Sequence, residues 1–346
     1  MARILCGVMG DALGHVGEAL ALSQAMPGHR FLFLGGGVAL KLRQAGLEVE
    51  PLPLLGTAYR HNRVDLIATL GQGALALLGL AEALAGVERA IRRFKPDLVL
   101  SLFEAFTQLA ARRLGLPCLS LDHQHFLTQC QPLPVAGQET ARALLRLSLQ
   151  ATTSWASGYL VHSFFTLRPR HPVRCQVFPP LLSPELRGPR PSQGGHALVY
   201  QTSSTFQRLL PALRQWGEPC LVYGLGQRPA RGNLVFRPPE RRAFLADLAA
   251  CRFLVANGGH NAISEALYLG KPVLALPIAL AYEQYANACM LRQMGLGDYS
   301  LGPAPDPELF RGFAGRLGEF QDRLAGRVFF GTELIAKRLE EVLRGD

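Results

Sequence analysis

Lysine is nearly missing from this 346-residue chain: of 36 basic residues only Lys41, Lys95, Lys271 and Lys337 are lysine. A GC-rich genome imposes such a bias, although arginine also suits planar anions. The chain has no C-x-x-C pair. Its seven cysteines (Cys6, Cys118, Cys130, Cys175, Cys220, Cys251, Cys289) are scattered, which argues against a zinc site or a disulfide framework and for a reducing cytosol. No repeat with a period of about 20 to 50 residues is present, so a solenoid is excluded. The G-x-G-x-x-G dinucleotide fingerprint is also absent. The longest apolar stretch, Leu66 to Val87, is interrupted by Gln72, Glu82 and four glycines. It reads as a helix within the protein, because a membrane span needs about 20 predominantly apolar residues. The first residues, "MARILCGVMGD", hold an apolar run too short for a signal peptide and read as a first strand.

What is present describes a folded α/β protein. With 49% hydrophobic and 18% charged residues, the length allows two cores. The net charge of +10 suits acidic ligands, an anionic membrane surface or nucleic acid equally. The basic residues are dispersed and lack an aromatic platform, which argues against nucleic acid. Even the dense run "RPRHPVR", Arg168 to Arg174, reads as a solvated loop before a strand at Gln176 to Phe178.

Strand patterns at Ala2–Val8, Arg30–Leu34, Asp97–Leu102, Cys118–Leu121 and Gly158–His162 alternate with helical patterns at Val16–Ala25, Val38–Ala45, Leu66–Phe94 and Phe106–Leu114. Such alternation predicts parallel strands with helical crossovers. The segment Pro179–Gly195, with five prolines and three glycines, reads as a linker. A second series follows at Ala197–Tyr200, Cys220–Tyr223, Asn233–Phe236, Phe253–Ala256 and Val273–Ala275, and a last helical pattern covers Glu333–Leu343. The expected organisation is a first domain over 1–178, a linker over 179–195, a second domain over 196–318, and C-terminal helices over 319–346 that could pack back on the first domain.

Three turns directly after predicted strands carry the chemistry, since open α/β sheets gather ligands at strand ends. "GVMGDALGHVGEAL" holds Gly7, Gly10, Gly14 and Gly17, a turn that lets the backbone, at Gly14 above all, approach a bound ligand closely. It places Asp11 and His15 at a helix entrance, where a histidine with a near-neutral pKa suits removal of a hydroxyl proton. "VYQTSSTFQRLL" offers Thr202, Ser203, Ser204 and Thr205 to cap a helix or hold an anion. In "VANGGHNAISEALYLGKPVLALP", Gly258 and Gly259 leave a helix N-terminus open, with its free N–H groups favouring phosphate. At about 100° per residue, Asn261, Ser264 and Glu265 share one side of that helix. Glu265 lies too deep for phosphate but could accept two hydroxyl hydrogen bonds, as a ribose diol would donate. Past the next strand, Tyr282, Glu283, Gln284 and Asn287 form a polar cluster suited to sugar hydroxyls.

"NGGHNAISEALYLGKPVLALP" followed by "YEQYANA" resembles the donor-binding half of family 28 and family 1 nucleotide-sugar glycosyltransferases. "KPDLVLSLFEAFTQLAARRLGLPCLSLDHQHF", Lys95 to Phe126, resembles their teichoic-acid-biosynthesis-like branch. The resemblance covers most of the chain. It implies the GT-B fold, two Rossmann-like domains with parallel sheets facing a central cleft. It also implies direct displacement at the anomeric carbon with inversion, from a nucleotide diphosphate sugar, expected to be a uridine diphosphate hexose, to a hydroxyl acceptor. The donor diphosphate would lie on Ser203, Ser204, Gly258, Gly259, His260 and Asn261, the ribose on Glu265, and the sugar on Glu283 and Gln284. His15 would be the acceptor base, with the backbone at Gly14 close against the sugar nucleotide. No D-x-D motif is present, so no metal and no cofactor beyond the sugar nucleotide are implied.

The resemblance departs at Glu18, where the branch usually has arginine three residues after the histidine, and at Asp11-Ala12-Leu13-Gly14, where glycines are usually denser. Glu104, Asp122, His123 and His125 also sit at strand ends of the first half. Glu104, then Asp122 or His125, are therefore alternatives to His15. A nucleotide-sugar hydrolase or 2-epimerase, and a non-catalytic nucleotide-sugar-binding protein, are the competing functions. The acceptor is open. Leu66–Val87, with Arg89, Arg92, Arg93 and Lys95 after it, could rest on an anionic membrane to reach a lipid-linked acceptor, which makes the expected location cytoplasmic or peripheral on the inner membrane face.

Overall fold

The computed structural model describes residues 1–346 apart from 12, 54–58, 61, 66–67, 69–70, 72–78, 202–205, 303 and 346. Two all-parallel sheets form its frame. The first contains β1 (Arg3–Val8), β2 (Arg30–Gly35) and β3 (Val49–Pro51). After a short hairpin of β4 (Tyr59–Arg60) and β5 (Arg63–Val64), it continues with β6 (Leu98–Leu102), β7 (Cys118–Asp122), β8 (Gly158–His162) and β9 (Cys175–Phe178). Its order is β3-β2-β1-β6-β7-β8-β9. The second contains β10 (Ala197–Tyr200), β11 (Cys220–Tyr223), β12 (Leu234–Phe236), β13 (Leu254–Ala256), β14 (Val273–Ala275) and β15 (Gly297–Tyr299), in the order β12-β11-β10-β13-β14-β15. Strands covered on both faces read as continuous apolar runs, and "CLVY" and "VLA" do so here. In each sheet the order reverses beside the first strand, so ligand crevices are expected past the ends of β1 and β6 and of β10 and β13.

Helices α1 (Leu13–Ala25), α2 (Leu80–Phe94), α3 (Ala105–Arg113), α4 (Phe126–Gln129) and α5 (Glu139–Thr152) belong to the first half. Helices α6 (Leu209–Trp216), α7 (Arg241–Ala250), α8 (His260–Tyr268), α9 (Tyr282–Gln293), α10 (Pro307–Gly315) and α11 (Leu317–Leu324) belong to the second. The predicted helix at Val38–Ala45 is instead a 3₁₀ helix over Gly37–Ala45. Only Ala39 and Leu42 of it are buried, and an i, i+3 pair is what a three-residue turn aligns. Of the predicted helix Leu66–Phe94, the described part is chiefly α2, with Ala83, Leu84, Val87, Ala90 and Ile91 inward. No described helix is long and apolar enough to cross a membrane.

The proline-rich linker is packed. Leu181, Leu182 and Leu186 are buried, and a 3₁₀ turn over Pro184–Arg187 starts at Ser183, whose hydroxyl accepts from the Glu185 N–H. The final helix, α12 (Thr332–Arg344), lies on α1 through Ile335, Ala336 and Leu339, which join the core of the first sheet. Thr332 fixes its start: the Leu182 N–H donates to Thr332 Oγ1 at 3.0 Å, and that hydroxyl donates to the Leu182 carbonyl at 2.6 Å. The aromatic residues Phe310, Phe313 and Phe320 of α10 and α11 pack instead into the second half.

The halves meet closely. One apolar cluster runs from Phe126, Tyr159 and Leu182 to Leu254, Ile263 and Leu291. The Ala279 N–H donates to the Asn62 carbonyl at 3.0 Å, and the Val64 N–H to the Ala279 carbonyl at 3.1 Å, so backbone crosses from one half to the other. Thr332→Val removes the partner of both Leu182 backbone groups and should lower stability by about 1–3 kcal/mol. Chemical denaturation should show a lower midpoint at an unchanged slope.

Candidate active site between the sheets

The turn after β1 delivers His15 into the first turn of α1, where it is buried. Its Nδ1 lies 2.9 Å from Glu18 Oε2, one helical turn away. Glu18 is 2% exposed and faces the other half. Its Oε1 accepts from Asn261 Nδ2 at 3.0 Å and stands 3.4 Å from His162 Nε2. Burial works against charge on Glu18, but His15 and His162 outweigh it and hold the carboxyl well below the usual carboxylate range. Burial likewise opposes charge on His15, yet the Glu18 carboxylate raises its pKa through charge and a hydrogen bond. With Nδ1–H assigned to the Glu18 bond, Nε2 of His15 has no hydrogen-bond partner among the described residues and, in the neutral ring, can accept a proton.

The wall beside His15 is built from the end of β6. Phe103 has φ +57°, an uncommon left-handed conformation for a phenylalanine, and its ring stacks on His15 with centroids 5.8 Å apart. The strained turn leads directly into Glu104. That carboxylate caps α3, accepting from the Phe106 N–H at 2.9 Å and the Thr107 N–H at 2.7 Å. Burial raises its pKa against those donors. Asp122 and His125 form a buried pair at 2.7 Å. Asp122 also accepts from Ser120 Oγ at 2.7 Å, and His125 Nε2 lies 3.0 Å from the Thr153 carbonyl. The ring of His125 and the carboxylate of Asp122 are therefore committed to holding the loop after β7. His15 is the sequence-derived base candidate whose outer nitrogen is unengaged among the described residues.

Across the cleft stands α8. Gly258 has φ +90°, and a Cβ there would come within 2.8 Å of the Gln284 carbonyl, so this turn requires glycine. Gly259 begins the helix without a side-chain cap among the described residues, and a Cβ on it would meet none of their atoms within 4 Å. The first N–H groups at the positive helix end thus have no side-chain cap among the described residues. His260 is buried, with Nδ1 3.1 Å from Asn261 Oδ1 and its ring stacked on His123 at 3.9 Å. Burial and then the neighbouring His123 and His162 hold its pKa well below the ordinary histidine value, so it is neutral. A continuous hydrogen-bond line therefore runs from His260 through Asn261 to Glu18 and His15. The approach is close at Gly14, where a Cβ would lie 2.9 Å from Asn261 Nδ2.

The remaining donor-side candidates are also engaged. Both oxygens of Glu265 accept from Arg241, at 2.6 and 3.0 Å. Glu283 Oε2 accepts from Gln124 Nε2 of the first half at 3.1 Å, and Gln284 Oε1 accepts from the Ile278 N–H at 3.0 Å. Asn287 Nδ2 braces the Gly258 carbonyl at 3.1 Å, while its Oδ1 meets His123 Nε2 at 2.8 Å. The structure thus brings His15 and Gly14 up to Asn261 and His260 where the halves meet, with Gly258 and Gly259 beside them and Glu283 and Gln284 at the start of the neighbouring α9. Ser203 and Ser204 lie outside the described residues.

Sequence reasoning missed Glu18 as a partner of His15, although the H-x-x-E spacing on a helix was a readable signal. It also missed His162 and Arg241, whose partners are distant in sequence and carry no local pattern.

Two sheets wound in the Rossmann manner, with an uncapped helix mouth opposite a histidine–carboxylate pair, define a GT-B glycosyltransferase. The chain belongs to Glycosyl transferase family 1, whose pattern it matches over residues 2–317. An uncharacterized glycosyltransferase of Methanosarcina acetivorans is 24% identical over 98% of both chains. The UDP-N-acetylglucosamine–N-acetylmuramyl-(pentapeptide) pyrophosphoryl-undecaprenol N-acetylglucosamine transferase of Halorhodospira halophila is 28% identical over 99% of both. Among solved structures, the glycotransferase of kitacinnamycin has a TM-score of 0.68 at 20% identity over 98% of both chains. MurG of Acinetobacter baumannii has a TM-score of 0.63 at 18% identity, over 99% of this chain and 100% of that one.

Glu18→Gln should lower stability by about 3 kcal/mol, since it removes the charge from a buried pair. Glu18's stabilisation is present above an unfolded carboxyl value of about 4.3 and is lost as pH falls through its depressed folded value. That of His15 is full below about 6.5 and is lost as pH rises through its raised folded value. Denaturation across pH should therefore show the widest gap between wild type and Glu18→Gln at about pH 4.3 to 6.5. A gap constant from acid to alkaline pH would show that no ion pair exists.

Proposed function

We propose that this glycosyltransferase moves a hexose from a nucleotide diphosphate sugar, a uridine diphosphate sugar in our reading, to a hydroxyl acceptor with inversion at the anomeric carbon. The observation that supports this is the hydrogen-bonded line joining the uncapped start of α8 to His15, by which a helix end suited to an anion lies near a histidine suited to take a proton. His15 Nε2 takes the acceptor hydroxyl proton as the oxygen attacks the anomeric carbon. The bond from that carbon to the diphosphate oxygen breaks, and its electron pair leaves with the diphosphate. The N–H groups at Gly259 to Asn261 stabilise the departing charge, with Ser203 and Ser204 as the expected hydroxyl donors beside them. Glu18 balances the imidazolium formed on His15.

Glu265 takes the ribose diol, and Glu283 with Gln284 reads the sugar. The Halorhodospira relative's name gives it a UDP-sugar donor and an undecaprenol-linked acceptor. That supports a uridine nucleotide and a lipid-linked acceptor here, reached from the membrane face.

A thermal-shift panel of nucleoside diphosphates and their sugars tests the donor. Uridine diphosphate at about 100 times its dissociation constant should add about 2.7 kcal/mol, and Glu265→Ala should abolish the shift. No shift with any nucleotide would sink the proposal. His15→Ala should cut turnover by about 10²- to 10⁴-fold with donor binding retained. Product of retained anomeric configuration would reject inversion, and sugar release into water that no acceptor suppresses would make the protein a hydrolase.

A further inference from the structure

Glu265 does not wait for a ligand with bare oxygens. Arg241, the first residue of α7, grips it in a fork, Nη2 to Oε1 at 2.6 Å and Nη1 to Oε2 at 3.0 Å. The arginine is held from behind as well: its Nε is 3.8 Å from Glu185 Oε2, in the 3₁₀ turn of the linker. Its side chain is 41% exposed, whereas that of Glu265 is 11% exposed. The fork therefore sets a partly exposed guanidinium on a mostly buried carboxylate.

If the donor ribose binds at Glu265, as the preceding reading requires, Arg241 must either leave or stay. Leaving would strand a buried carboxylate without its counter-charge, and two neutral hydroxyls cannot replace a guanidinium there. Staying is compatible with the acceptor count. Each carboxylate oxygen offers two lone pairs, the fork uses one on each, and one on each remains for a vicinal diol. The geometry points to Arg241 as a positioning residue of the donor site: it stays on Glu265 while the ribose binds, fixes the carboxylate plane, and so sets the preference for a nucleotide that carries both ribose hydroxyls. Nothing in the local sequence "PPERRAFL" distinguishes Arg241 from its neighbour Arg242; only the 24-residue reach to Glu265 does.

The test compares binding of uridine diphosphate and 2′,3′-dideoxyuridine diphosphate by calorimetry. Wild type should prefer the ribonucleotide by about tenfold for each hydroxyl lost. Arg241→Ala should bring that ratio close to one while leaving dideoxynucleotide affinity within about twofold, and Arg241→Lys, which keeps the charge but not the fork, should restore only part of it. If Arg241→Ala does not fold, Arg241→Lys carries the test by the same ratio. Equal weakening of both nucleotides would reduce Arg241 to a structural support and overturn the inference. Tighter binding of the ribonucleotide by Arg241→Ala would also overturn it, by showing that the arginine competes for Glu265. Failure of the underlying donor-site reading looks different: wild type itself would bind neither nucleotide, or would bind both alike.

Discussion

The site depends on one buried carboxylate. Glu18 lies where the two halves come together, and its oxygens serve His15 and His162 of the first half and Asn261 of the second. A charge so far from water is tolerable only when paired, and the pairing comes from His15 and His162 of the first half, while Asn261 adds a neutral hydrogen bond from the second. The same carboxylate raises the basicity of His15. The neutral His260, stacked on His123 from the opposite half, completes the contact without adding a second positive charge to it.

The rest of the fold delivers residues to that point. Each sheet reverses strand order beside its first strand, and the turns past those strands carry His15, Glu104 and Gly258 to Asn261. The committed side chains have a structural role in keeping the turns fixed. Glu104 caps α3 behind the strained Phe103, and the Asp122–His125 pair pins the loop after β7. The polar side of α8 does not face solvent, since Ser264 and Glu265 are both buried. Its partners come from α1 and α7, which makes the helix a hub between the linker side and the cleft.

Much of this was legible in the sequence because buried parallel strands are apolar throughout and end at glycine-rich turns. Gly158–His162, Ala197–Tyr200, Cys220–Tyr223 and Val273–Ala275 have the predicted limits, and the family resemblance identified both halves. Short β3 and β15 did not stand out: "VEP" and "GDY" have no apolar run, and each is held by a neighbour's register. Helix α5 was silent because only Ala141 and Leu149 of it are buried. At the site, residue types and positions could be read, but partners could not. Glu18 looked like a departure from the family pattern until His15, His162 and Asn261 were seen around it. Arg241 was one arginine among many.

The crossing of α12 back onto α1 has a mechanical consequence. The chain passes between the halves twice, once through the packed linker and once before Thr332, and the two passages are stitched together at Leu182. The two passages are thereby tied to each other as well as to the halves they join. Because α12 packs on α1, the helix that also carries His15 and Glu18, the last residues of the fold help to seat that histidine–carboxylate pair.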